Sequence, residues 1–223
     1  MPAQRLREQR ERVAAAAREL AAQGLVLGTA GNVSERAGEL VAVTPTGATL
    51  DRVQGAEVVV VDLDGSLVDG ERAPTSELAL HLGVYRRYDA GAVVHAHSPV
   101  ATALGTVLDE LPAVHYQMVA LGGPVRVARY VTFGTSELAE ATLDALEGRS
   151  AALMANHGTL TYGDDLDQAM ERAVLLEWAC TVYWRAAAIG APRTLNEGEL
   201  DEVRDQLEGR GYGSLLAAGR KQR

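Results

Sequence analysis

Two short apolar runs that each deliver histidine constrain this chain more than any other feature. AGAVVHAH (90–97) and SAALMANHG (150–158) read as buried strands, because a strand covered on both faces shows as a near-continuous hydrophobic segment. Helical signals surround both runs. Arg5 to Ala22 places Leu6, Val13, Ala17 and Leu20 on one side at helical spacing, and Gly24 ends the helix. LVLGTAGNVSER reads as short and turn-like. ELVAVTPTG reads as a strand closed by a Pro-Thr-Gly turn, and AEVVVVDLDGSLVDGER as a strand, an Asp-Gly turn and a second strand. After Pro74 a helix begins, with Thr75 or Ser76 as cap and Glu77 in its first turn. SPVATALGTVL is a helix capped by Ser98 with Pro99 at its first position. PVRVARY is a strand and GTSELAEATLDALEG a capped helix. A long amphipathic helix follows from DLDQAMERAV, then a last helix in NEGELDEVRDQLEG and the tail RGYGSLLAAGRKQR.

This order predicts an α/β chain of α+β-like character, with a central mixed or antiparallel sheet flanked by helices. A length of 223 residues without repeat or linker predicts a single domain spanning 1–223, with 209–223 as a mobile C-terminal tail. The net charge of -9 repels nucleic-acid backbones on average, so no nucleic-acid partner is expected. It leaves room for a local anion site built from backbone N–H groups and helix ends. Cys180 is the only cysteine, which suits a reducing compartment. MPAQRLREQR has no apolar core and no nonpolar stretch reaches bilayer length. A cytoplasmic protein without a membrane partner is expected.

Of the five histidines, His81 sits within a helix beside leucines and reads as hydrogen-bonded packing. His95 and His97 lie two apart on a strand and face the same way, where both can reach one ion at about 2.1 Å. The alternative is two polar groups packed at a strand end. His157 closes a second strand, and Glu77 can add a carboxylate. Three imidazoles and a carboxylate suit tetrahedral Zn²⁺, although spacing alone does not bring them together. GTAGN (28–32), TPTG (44–47) and TSE (75–77) join small residues with hydroxyls or amides, in turns suited to a phosphate. None is followed by the lysine of a Walker loop, and none has three dinucleotide-binding glycines.

Taken in order, GTAGNVS, TPTG, PTSE, VVHAHS, PAVHY, TFGT, NHG and GYG resemble the class II aldolase/adducin family along nearly the whole chain. The resemblance implies one Zn²⁺ per subunit, held by His95, His97 and His157, with Glu77 as fourth ligand when substrate is absent. It implies a phosphate pocket of Thr29, Asn32, Thr46, Gly47, Thr75 and Ser76. It further implies a homotetramer with active sites between subunits, where Tyr116 reaches the neighbour's site and Tyr212 in the tail lies over the substrate. The implied activity is reversible aldol cleavage of a ketose 1-phosphate, L-fuculose 1-phosphate or a related deoxy-ketose 1-phosphate, to dihydroxyacetone phosphate and an aldehyde. Glu77 and Tyr116 then move protons. Family members that dehydrate methylthioribulose 1-phosphate or epimerise pentulose 5-phosphates are the alternatives. Epimerases usually carry aspartate where this chain has Glu77, and the PAVHY and GYG tyrosines favour an aldolase over a dehydratase. The non-catalytic adducin-like branch can lack the histidines that this chain keeps. Phe133 reads as a substrate wall or as packing, Trp178 and Trp184 as packing, and His115 as a partner of Tyr116 or an interface residue.

Overall fold

The computed structural model describes residues 5–210; Tyr212 and most of the expected tail lie outside the described residues. Helix α1 (Arg7–Ala22) leads into strands β1 (Asn32–Ala37), β2 (Leu40–Val43), β3 (Val59–Asp62) and β4 (Leu67–Asp69). Then come α2 (Leu78–Tyr88), β5 (Ala92–Ala96), α3 (Pro99–Leu104), β6 (Glu110–Leu111) and a 3₁₀ helix (Tyr116–Leu121). The chain continues through β7 (Val125–Ala128), α4 (Ser136–Ala145), β8 (Ala151–Met154), β9 (Gly158–Gly163), α5 (Leu166–Ile189) and α6 (Glu197–Gly209).

The strands form one sheet in the order β4-β3-β2-β1-β5-β9-β8-β7-β6. Every neighbouring pair is antiparallel except β7 and β8, so the expected mixed sheet with flanking helices is present. Strand alternation sends side chains to two cores. Val33, Ala92, Val94 and Ala96 pack beneath α1 and α5. Val41, Val43, Val93 and Leu160 pack beneath α2 and α4. With helices on both faces, β5 is buried at every residue, which explains its unbroken apolar sequence. A third core around Leu111, Met118, Leu121, Leu153 and Leu176 holds the 3₁₀ helix and α6.

Helix starts follow their caps. Thr135 accepts from Leu138 N–H and Asp165 from Gln168 N–H, while Asn196 and Glu199 form a reciprocal box, each cap worth about 1 kcal/mol. Three local expectations change. NVSERA is not a turn but strand β1, pairing with β2 and β5. Its polar residues hid it, because Asn32, Ser34 and Glu35 are buried by hydrogen bonding rather than by hydrophobicity. Glu77 lies not in the first turn of α2 but at its N-cap, where its N–H donates to Thr75 Oγ1 at 3.2 Å. Ser98 is the N-cap of α3 but its side chain makes no capping bond. The Glu177 carboxylate on α5 accepts instead from Val100 and Ala101 N–H at 2.9 and 2.8 Å.

Candidate metal centre

The site begins in the middle of the sheet. His95, fully buried, faces Asn32 on β1 and Leu160 on β9. Its Nδ1 lies 2.8 Å from the Thr159 carbonyl, an acceptor only, so Nδ1 carries the proton and Nε2 points away into the site. Strand β5 stops at Ala96, and His97 N–H donates to the Leu25 carbonyl at 3.1 Å. His97 Nε2 nonetheless comes within 3.0 Å of His95 Nε2. His157 sits in the β8–β9 turn after Asn156, whose φ of 55° is left-handed, a region asparagine tolerates.

Two glycines let these segments close up. A Cβ on Gly158 would lie 2.3 Å from the Ala96 carbonyl oxygen, and one on Gly31 2.9 Å from that of His95. Any larger residue at Gly158 would force β9 away from β5 and His157 away from the other two rings.

The result is a cage. The three imidazoles stand nearly edge-on to one another, with centroids 4.8 to 5.0 Å apart, and one ring nitrogen from each lies within 4.8 Å of the others. Glu77 spans them, with Oε2 3.1 Å from His95 Nε2 and Oε1 3.3 Å from His157 Nε2. Asn32 Nδ2 donates to Oε2 at 2.9 Å, while the buried Oε1 accepts no hydrogen bond. An orphaned buried carboxylate oxygen facing three imidazoles is a donor set that fits a divalent cation of the Zn²⁺ type.

Electrostatics favour that use. Burial opposes the charge of Glu77, but the facing His95 ring and the hydrogen bond from Asn32 outweigh it, holding the carboxyl below its ordinary range. Burial, with the neighbouring rings, pushes His97 down to about 4 and lowers His157, so these rings stay neutral and able to ligate. Burial also pushes His81 down to about 3. An unfolded histidine takes up its proton near pH 6.5, so below that value the unfolded chain binds more protons than the folded one. Stability of the metal-free protein should therefore fall with pH, His81 alone accounting for about 2 kcal/mol by pH 5. Glu77, held low in the fold, adds a further loss below its ordinary range. Thermal melts at pH 7.5 and pH 5 check this, and an unchanged or higher Tm at pH 5 contradicts it.

Above the cage opens a cleft of about 330 Å³. Its walls contain all six residues expected to meet a phosphate, Thr29, Asn32, Thr46, Gly47, Thr75 and Ser76, together with Glu77, His97 and His157. The turns are laced together: Thr46 N–H donates to the Ala73 carbonyl and Thr75 N–H to that of Thr44. None of the described residues lining the cleft is lysine or arginine, so an anion there meets hydroxyls and amides rather than cations. Tyr130, Val131, Phe133 and Asn156 also line the cleft. Only Phe133 is singled out by the sequence; Tyr130 reads there as the end of a strand. Tyr116 is absent from this cleft. It is about half exposed and lines a separate groove with Gln117, Leu175 and residues of α6. His115 lies tilted against Tyr116 and edge-on to Trp178.

Comparison with known proteins places this geometry in context. A family model described as the Class II Aldolase and Adducin N-terminal domain matches residues 11–184. The 5-deoxy-D-ribulose 1-phosphate aldolase of Bacillus thuringiensis serovar kurstaki is 39% identical over 92% of this chain and 98% of its own. A 5-methylthioribulose-1-phosphate/5-deoxyribulose-1-phosphate aldolase of Rhodospirillum rubrum is 38% identical over 90% of this chain and 91% of its own. A solved L-fuculose 1-phosphate aldolase superimposes with a TM-score of 0.87 at 35% identity, covering 90% of this chain and 96% of that one.

Proposed function

The chain belongs to the class II aldolase and adducin family, and from that premise we propose that it cleaves a deoxy-ketose 1-phosphate reversibly into dihydroxyacetone phosphate and an aldehyde, using Zn²⁺. One observation carries this reading: the Glu77 carboxylate bridges two histidines of the cage at the base of a cleft walled by hydroxyl-bearing turns. A carboxylate so placed would serve both to help hold an ion and to act as a base toward a substrate in the cleft.

Zn²⁺ held by His95, His97 and His157 supplies Lewis-acid stabilisation of negative charge on the ketone oxygen. The chain's own groups do the rest. The hydroxyls of Thr29, Thr46, Thr75 and Ser76, with Asn32 and the Gly47 backbone, hold the phosphate and fix the ketone's reach into the cleft. In cleavage the C4 hydroxyl gives up its proton, the C3–C4 bond breaks, and its electron pair passes into the C2 carbonyl. Glu77 then delivers a proton to C3; in synthesis it removes one.

The proton on the C4 hydroxyl passes through the phenol of Tyr116 of a neighbouring subunit in a homotetramer to solvent, from which Glu77 takes up the proton it delivers to C3. This assignment is supported by the exposure of Tyr116 and its absence from its own cleft. Tyr212, outside the described residues, would cover the substrate. The chain acts as a single domain in the cytoplasm; no helix among the described residues is long and apolar enough to cross a membrane.

Relatives named for 5-deoxyribulose 1-phosphate make that sugar the first candidate, with L-fuculose 1-phosphate beside it. The test is a panel of 5-deoxyribulose, fuculose, rhamnulose, ribulose, xylulose and methylthioribulose 1-phosphates, followed by dihydroxyacetone phosphate release. We expect release from the deoxy sugars. Methylthioribulose 1-phosphate losing water without that release would select the dehydratase, and interconversion of pentulose 5-phosphates the epimerase.

A further inference from the structure

We propose that His81 is a positioning residue for Glu77, acting through Asn32 at the end of a one-way chain of hydrogen bonds. The inference rests on Glu77 being the acid–base group of the aldol reaction. Four side chains buried between β1 and α2 connect in series to that carboxylate. Tyr85 OH lies 2.7 Å from Ser34 Oγ, and Ser34 Oγ lies 2.6 Å from His81 Nδ1. His81 Nε2 meets Asn32 Oδ1, and Asn32 Nδ2 donates to Glu77 Oε2. Each of the four is almost completely buried.

The direction of every bond follows from the far end. An ionised carboxylate only accepts, so Asn32 must turn its NH₂ toward Glu77. Its amide oxygen then faces His81 and also only accepts, so His81 must carry its hydrogen on Nε2. Burial keeps the ring neutral, which leaves Nδ1 to accept from the Ser34 hydroxyl, and Ser34 to accept from Tyr85. A reversed Asn32 amide would set N–H against N–H at His81 and oxygen against oxygen at Glu77. An Nε2–H on His81 thereby holds the Asn32 amide in the one orientation that the carboxylate accepts. Side chains that orient a metal ligand from behind in this way typically change metal affinity or activity by about 10–100-fold.

Sequence position hides the role, since His81 is one turn into an apolar helix. A purely structural histidine there would be replaceable by any side chain of similar volume. A network whose polarity ends on the one carboxylate of the cage is not.

The test has three arms. In ¹⁵N-labelled wild-type protein, His81 should be the neutral Nε2–H tautomer across pH 5–8; an Nδ1–H or doubly protonated ring overturns the inference whatever the enzyme's substrate. His81→Gln can place an amide N–H near the position of Nε2, whereas His81→Leu cannot. His81→Leu should lower kcat about 10–100-fold with KM changed less than about threefold, and His81→Gln should restore kcat to within about threefold. Zn²⁺ affinity, measured by competition with a chromogenic chelator, should weaken in His81→Leu and recover in His81→Gln. A folded His81→Leu protein with wild-type kcat and Zn²⁺ affinity, or a Gln variant no better than Leu, rejects the role. Should wild-type protein cleave no ketose 1-phosphate, the aldol reading fails, and the tautomer and Zn²⁺ arms still decide for or against His81. Should His81→Leu not fold, the tautomer arm and the Gln variant decide it.

Discussion

Glu77→Gln is expected to lower dihydroxyacetone phosphate release by about 10²–10⁴-fold, the range a positioned general acid–base group contributes. The amide matches the carboxylate in size, and its oxygen can still accept from Asn32 Nδ2, the bond that holds Oε2 now. It cannot take a proton from carbon at neutral pH, nor return one. The three histidines stay in place, so metal content should hold and the melting temperature should move little. Turnover rates measured under saturating substrate, beside metal analysis of the same sample, separate this outcome from simple loss of the site. A Gln variant with wild-type turnover would remove Glu77 from the chemistry.

Removal of the metal should have an effect of similar size. Lewis-acid stabilisation contributes several kcal/mol, which corresponds to about a thousandfold or more in rate. Dialysis against a chelator should abolish cleavage and Zn²⁺ should restore it, with about one ion bound per chain at full activity. His157→Asn should reproduce the loss without chelator, because the turn carrying residue 157 would persist while one ring nitrogen disappears. Cleavage that survives chelation would leave the carbonyl without its stabilising charge and would sink the mechanism.

The sheet was largely legible because its strands announce themselves by composition. Val59, Val60 and Val61 or Val93 and Val94 have no reason to stand together unless both faces of a strand are covered. Strand β1 was illegible for the opposite reason. Its buried Asn32 and Ser34 satisfy one another's neighbours by hydrogen bonding, and polarity in a sequence reads as exposure. His81, read as hydrogen-bonded packing, is buried and bonded to Ser34 and Asn32. The residue types of the cage could be picked out as histidines at strand ends, but their convergence depends on β9 lying beside β5, which spacing does not encode. The start of α2 was misplaced by one or two residues because Thr75 satisfies Glu77 N–H from outside the helix. Likewise the cap of α3 is supplied from Glu177, far along the chain, and no local reading can find it.

The sheet order also bears on when the cage comes into being. His95 is fixed by Thr159, 64 residues away, and Glu77 by Asn32, 45 residues away. Loops of that length must close before either contact forms, and such non-local pairing comes late and slowly in folding. Local helices and the β3–β4 hairpin can assemble without bringing any two of the cage's strands together. Only a chain that has joined β5 and β9 presents three imidazoles at once, and only one that has added β1 sets Asn32 on Glu77. Metal uptake would therefore report on completed topology: an ion would bind molecules that have already found their central strands, and its binding energy would then oppose their separation.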